Sequence, residues 1–428
     1  MVNRSFVLRG DICWSDRQKK LHCAQDAYLV CEDGRCAGVF DVLPEKYSAL
    51  PLIDHRGKLV IPGMADLHIH APQYAFRGLG MDLELLDWLQ QYAFPEEAKY
   101  NDLDYAKAAY RVFADNLRHS ATTRVSAFAT VHKDATVLLM ELLEEAGLCG
   151  YVGKVNMDRD APENLREPSA AHSAALTLDW LMATQAKFSG IRPILTPRFL
   201  PSCSGELLEK LQEIRKGWQL PVQSHLSENP GEVALVAKLF PEAAFYGDGY
   251  DRYGLFGKDA RTVMAHCVYC TEEEMQRMQD NGVFVAHCPA SNMNLSSGIA
   301  PIRRFLERGI RVGLGSDVAG GESESIFRAI SDAIQVSKLY WRYVDSTAAP
   351  LSFEEAFYLA TLGGGEFFGT VGSFLPGYAF DAVVLEDAPL NPLHTLTLPQ
   401  RLERAVYLEA DGKYLREKYV DGKRVVGI

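Results

Sequence analysis

Residues 59–70 read Leu59-Val60-Ile61-Pro62-Gly63-Met64-Ala65-Asp66-Leu67-His68-Ile69-His70, an apolar run that ends in two histidines two positions apart. Side chains alternate along a strand with period two, so His68 and His70 leave the same face. Seven further short apolar runs follow, at 123–129, 151–157, 191–198, 221–225, 263–266, 283–287 and 311–317. Each is separated from the next by sequence for a helix and loops. Strand-like runs alternating with helical stretches over about 250 residues are what an eight-stranded β/α barrel requires. Helix signals fall between the runs: Thr271 with Glu274 predicts a capping box, Gly282 a stop, and Ser352 with Glu355 a second box.

Outside the runs, β-type segments at 6–12, 28–31 and 36–39 include a hairpin signal at Asp33-Gly34, and 381–385 is followed by a hairpin through Asp421-Gly422 into 423–426. The two chain ends are therefore expected to form one small β-sandwich domain, residues 1–61 with 376–428, beside an α/β domain over 62–375 that is a (β/α)8 barrel of the TIM type. A length of 428 residues suits that division.

With 47% hydrophobic and 23% charged residues the composition is that of an ordinary globular protein. A net charge of -12 argues against a surface for DNA or RNA, although a neutral nucleobase remains open as a substrate. Nine irregularly spaced cysteines fit reduced thiols in the cytoplasm. Cys267-Val268-Tyr269-Cys270 lacks a second pair, so it reads as neither a structural zinc site nor a redox motif. The first residues, from Met1 to Asp11, are too polar for a signal peptide, and no apolar run reaches membrane-spanning length. A cytoplasmic protein without a membrane partner is expected.

The chemistry lies at the ends of the runs: His68 and His70 on the first, His225 on the fifth, His266 on the sixth and Asp317 on the eighth. A lone strand histidine is more often a hydrogen-bonded core residue than a ligand. In a parallel barrel, however, the carboxyl ends of all strands meet at one mouth. His68, His70, His225 and Asp317 are thus predicted metal ligands, a set that suits zinc, with iron, cobalt or manganese also compatible. Such an ion lowers the pKa of water to about 7. His266 either completes this shell or polarises the water by a hydrogen bond, and the second role is favoured because four ligands leave the open position a catalytic ion needs. Asp317 doubles as proton acceptor. Glu228, three residues beyond His225, is the expected proton shuttle. A second metal would need a bridging lysine at the end of the fourth run, which instead reads Thr196-Pro197-Arg198-Phe199. Lys154, on the third run, is read as structural. His287, ending the seventh run, is expected to anchor the following loop through a hydrogen bond.

Residues 62–70 and Gly313-Leu314-Gly315-Ser316-Asp317 resemble two motifs of the amidohydrolase superfamily. Residues 71–78, 196–199, 224–229, 287–298 and 317–321 narrow the resemblance to its guanine-deaminating branch, and 390–410 is the stretch least like it. The resemblance implies one zinc ion per subunit, a homodimer, and hydrolysis of guanine to xanthine and ammonia by a metal-activated hydroxide at C2. Glu228, His266 and Asp317 would be catalytic, and Gln73, Arg198, Phe199, His225 and Glu228 would bind substrate. Donor-only Arg198 suits the O6 and N7 acceptors of guanine and mismatches the amine of adenine, while Gln73 carries both a donor and an acceptor. Phe199 would add stacking or backbone contacts, and Trp88 and Phe94 belong either to a lid or to the core. The rival activities are aminohydrolysis or chlorohydrolysis of another purine such as 8-oxoguanine, a pyrimidine or a triazine. A non-enzymatic scaffold is a remote alternative, against which the complete ligand set argues.

Overall fold

The computed structural model describes residues 4–390, 393 and 395–427. The first three residues of the polar N-terminal stretch, and residues 391, 392 and 394 of the unfamiliar 390–410 segment, lie outside the described residues. Among the described residues no helix is long and apolar enough to cross a membrane.

Both chain ends enter one seven-stranded sheet, in the order Lys423–Val426, Leu415–Val420, Ala382–Leu385, Leu52–Pro62, Phe6–Ser15, Leu21–Glu32, Arg35–Phe40. Where a sandwich of two sheets was expected, hydrogen bonding is continuous and the sheet curls. Phe6 and Tyr419 sit three strands apart, about 14 Å on a flat sheet, yet their ring centroids are 5.1 Å apart. The hollow of the curl is filled by Leu8, Ile12, Leu29, Val60, Phe380 and Val384. Both hairpins form where the turn residues predict: Asp33-Gly34 and Asp421-Gly422 all have positive φ, which the tight two-residue turn requires.

The opening run 59–70 proves to be two strands. Leu52–Pro62 pairs within the curled sheet, whereas Met64–His70 starts a parallel sheet. Gly63 is the junction: its N–H donates to the Asp381 carbonyl at 3.0 Å, and a Cβ there would meet Thr123 at 2.3 Å. Residues 59–70 are buried on both faces of their strands. Apolarity therefore gives no sign of the break.

Two parallel four-stranded sheets follow. One runs Met64–His70, Thr122–Phe128, Cys149–Gly153, Ile191–Pro193, and the other Val222–Leu226, Thr262–His266, Phe284–His287, Arg311–Leu314. Backbone hydrogen bonds join them at both margins. On one side Leu195 N–H donates to Pro221 O and Gln223 N–H to Leu195 O, both at 3.0 Å; on the other Asp317 N–H reaches His68 O at 2.9 Å and His70 N–H reaches Val318 O at 3.0 Å. These eight strands match the eight predicted runs in order.

Amphipathic helices pack outside. Leu103–Arg118 buries Ala106, Tyr110, Phe113, Ala114 and Leu117, one stripe at helical spacing, and the Asp102 side chain caps its first turn. The Ser352–Glu355 capping box forms in full. The Thr271 box forms only by half: Thr271 accepts from Glu274 N–H, but the Glu274 carboxylate instead accepts from Gly247 N–H at 2.6 Å and Ser227 Oγ at 3.1 Å. A tertiary partner has outcompeted the local one, and it braces the turn that follows His225.

Arg124 ties the parallel sheet to the curled one through Asp381 at 2.6 Å and Asp421 at 2.7 Å. Lys418 supports the same junction, donating to the carbonyls of Leu117 at 2.8 Å and Ser120 at 3.0 Å. Lys154 is fully buried and ion-paired with Glu167 at 2.7 Å, in keeping with a structural part.

Candidate active site

His68, His70, His225, His266 and Asp317, drawn from four strands, meet at the carboxyl ends of those strands. His68 Nε2 lies 3.2 Å and His70 Nε2 3.5 Å from Asp317 Oδ1, and His70 Nε2 lies 3.2 Å from His225 Nε2. His266 Nε2 is 3.7 Å from Asp317 Oδ2 and 3.4 Å from Glu228 Oε2. His266 and Asp317 have φ of 71° and 49°. Non-glycine residues seldom hold that left-handed conformation, and its use at two adjoining site residues is the kind of strain that functional sites retain.

The surrounding bonds fix each ring. Asp66 accepts from His68 N–H at 3.1 Å and Ser316 Oγ at 2.5 Å, locking the first strand to the eighth. His225 Nδ1 donates to the Arg198 carbonyl at 2.6 Å, leaving Nε2 a lone pair. His266 Nδ1 bonds Asn292 Oδ1 at 2.9 Å, which likewise leaves Nε2 as an acceptor.

Burial pushes the His68, His70 and His225 imidazoles down toward the neutral form. Burial also opposes the charge on Asp317, but His68, His266 and His225 outweigh it and hold the carboxyl at about 2. An ionised carboxylate beside imidazole ring nitrogens is a donor set for a cation. His68 Nε2 and His266 Nε2 are buried with no hydrogen-bond partner among the described residues.

These residues fit a divalent cation. A tetrahedral ion with bonds near 2.1 Å sets its donors about 3.4 Å apart, and the three short separations here are 3.2, 3.5 and 3.2 Å. His68, His70 and Asp317 form one group with donor atoms within 4.8 Å, and His68, His225 and His266 another. A third group adds Cys288 to His266 and Asp317. Burial raises the Cys288 thiol well above its ordinary range, so it keeps its proton and is a poor ligand.

One pocket joins this cluster to the expected recognition residues; its lining includes His70, Gln73, Trp88, Arg198, Phe199, His225, Glu228, His266 and Asp317. Glu228 is buried, receives a hydrogen bond from Ser297 at 3.1 Å, and is raised well above the ordinary carboxyl range by burial and by Glu232 and Asp317. Burial among these carboxylates therefore favours its proton-carrying form more strongly than in a free carboxyl. Trp88 forms part of the pocket wall, and Phe94 lies beneath the Arg198 guanidinium at 5.1 Å.

The expected loop-anchoring bond of His287 is absent: neither ring nitrogen has a partner among the described residues, and burial holds its pKa at about 3. The ring lines a separate cavity with Ile302, Arg303 and Tyr340. Three contributors had no assigned role in the sequence reading: Asn292 behind His266, Leu295 in the pocket wall, and Glu97, which bridges Gln73 and Arg198. Asn292 lies in the quoted 287–298 motif, and that was its available signal.

Parallel strands that deliver imidazoles, an ionised carboxylate and a buried carboxyl with a raised pKa to one pocket suit the chemistry of a metal-dependent hydrolase. The model of the amidohydrolase family matches residues 59–424. Guanine deaminase of Dictyostelium discoideum is 37% identical over 382 residues, covering 87% of this chain and 84% of its own length. Guanine deaminase of Escherichia coli (strain K12) is 35% identical over 381 residues, covering 87% and 84%. A solved guanine deaminase from C. acetobutylicum, with guanine bound in its active site, is 45% identical, with a TM-score of 0.95 over 98% of this chain and 99% of that one. The chain belongs to the amidohydrolase family, among its guanine deaminases.

Proposed function

We propose that this chain hydrolyses guanine to xanthine and ammonia. The observation that carries the reading is a single pocket lined by His70, His225 and Asp317, with His68 3.2 Å from Asp317, together with Glu228, Arg198 and Gln73. A divalent ion, zinc in our reading and one per chain, would be held by His68, His70, His225 and Asp317, and when bound would supply Lewis-acid activation of water.

This chain's own groups do the rest. Arg198 and Gln73 orient the base so that C2 faces the cluster. Glu228 gives its proton to the ring nitrogen beside C2 as water oxygen adds there. Glu228 then takes one of the two water protons and Asp317 the other, with His266 Nε2 as acceptor beside it. The proton on Glu228 goes to the departing amine, the C2–N bond breaks to release ammonia, and the proton on Asp317 restores the Glu228 carboxyl. Phe199 closes one side of the pocket.

The same reading takes the two joined four-stranded sheets as a (β/α)8 barrel over 62–375, and 1–61 with 376–428 as the accessory β domain. It also takes the protein as a cytoplasmic homodimer acting on a free base, supported by the net charge of -12 and by the family resemblance. Adding guanine to zinc-loaded protein and following xanthine absorbance together with ammonia tests the activity. Release of ammonia from 8-oxoguanine, cytosine or a triazine, with guanine untouched, would transfer the assignment to that substrate.

A further inference from the structure

Glu97 lies in the short helix Phe94–Ala98 and is 1% exposed. Its two carboxylate oxygens serve the two residues expected to read the base: Oε2 meets Arg198 Nη1 at 2.5 Å, and Oε1 accepts from Gln73 Nε2 at 2.8 Å. Gln73 Oε1 in turn accepts from Ala319 N–H at 3.1 Å. Resting on the guanine reading above, we infer that Glu97 is a positioning residue that sets purine discrimination by holding Arg198 and Gln73 in the one arrangement that accepts an oxygen at the 6-position.

A carboxylate only accepts hydrogen bonds, so it fixes which way the Gln73 amide faces. Turned over, Gln73 would set its oxygen against the Glu97 carboxylate and its NH2 against the Ala319 N–H. Arg198 is 2% exposed, and among the described residues Glu97 is its side-chain acceptor. Without that partner Arg198 would be an unpaired buried cation, free to turn or draw in water. With one edge of the guanidinium clamped and its face over Phe94, the remaining donors are left for the pocket that Arg198 lines. Guanine offers O6 and N7 acceptors to those donors. 2,6-Diaminopurine offers an amine at the 6-position, donor against donor. The preference for an oxo group thus depends on a carboxylate that touches no part of the base.

The test is Glu97→Gln, which keeps size but turns one acceptor into a donor facing Gln73 or Arg198. A lost charge-assisted hydrogen bond predicts a KM for guanine raised about 10- to 100-fold, with kcat within about fivefold. For 2,6-diaminopurine KM changes little, so the guanine preference in kcat/KM falls by about the same factor. In an Arg198→Met background Glu97→Gln adds less than about threefold, because the residue it acts through is gone. If Glu97→Gln is not folded by circular dichroism, Glu97→Asp, which keeps the charge but withdraws it by one methylene, is measured against the same expectations. Equal losses on both bases, or an undiminished effect in the Arg198→Met background, overturn the inference. Wild-type turnover in the same assay judges the guanine reading separately. The ratio of calorimetric dissociation constants for the two bases still tests Glu97 if wild type turns over neither.

Discussion

Glu228→Gln separates proton delivery from everything else the site does. Glutamine matches the volume of the buried side chain, and its oxygen can still accept from Ser297, which lies 3.1 Å from Glu228 Oε1. Metal content and fold should therefore be retained, with unfolding free energy within about 1 kcal/mol of wild type at pH below the ordinary carboxyl range, where both side chains are neutral. Turnover is different, because burial beside Glu232 and Asp317 shifts Glu228 toward its proton-carrying form, and glutamine has no acidic proton to release. A lost acid-base group lowers kcat by about 10² to 10⁴, or roughly 2.7 to 5.5 kcal/mol of barrier. The assay is steady-state xanthine formation with parallel ammonia release, alongside metal analysis of the same sample. A metal-replete variant with kcat within tenfold of wild type would remove Glu228 from the mechanism. The pH dependence of stability gives a second check. A carboxyl whose folded pKa is raised contributes stability that is present below its unfolded pKa and lost as pH rises through the folded one. The variant should therefore gain stability relative to wild type as pH increases.

Two further outcomes follow, one from the histidine and aspartate cluster and one from the junction of the two sheets. His225→Ala or Asp317→Asn should lower bound metal by at least about tenfold, and chelation of wild type should abolish turnover reversibly with far-ultraviolet circular dichroism unchanged; full metal occupancy in both variants would refute the ligand assignment. Burial pushes Lys418 from its ordinary 10.5 down to about 7, so between those values the unfolded chain binds the proton that the native protein releases. Stability should rise with pH across that window by up to about 1.4 kcal/mol per unit, and Lys418→Met should remove that slope in denaturant titrations at pH 7.5 to 9.5. Parallel wild-type and variant curves would show that the ammonium is not desolvated.

The convergence of His68, His70, His225, His266 and Asp317 was legible because strand ends are regular places. Once eight apolar runs are counted, parallel pairing sends every carboxyl end to one mouth, and histidines or an aspartate at runs one, five, six and eight converge whatever the intervening sequence. Glu228 was legible from its place just past such an end. The break at Gly63 was not, since strands buried on both faces look alike on either side of it. The half-formed cap at Thr271 failed for a related reason: local spacing predicted a bond from Glu274 to the cap residue, and Gly247 and Ser227 took that carboxylate instead.

By itself the amino-acid order determined which residues are apolar strand, which are turn, and which chemistry stands at each strand end, because these follow from periodicity and from neighbours a few positions apart. Tertiary structure alone decided the curl that brings Phe6 onto Tyr419, the ring of His287 left without a partner among the described residues, and the clamp of Glu97 on Gln73 and Arg198. Glu97 and Arg198 lie 101 positions apart with no common period. Pairing between two charges buried at such separation is fixed by the packing of whole elements, which carries no local signature.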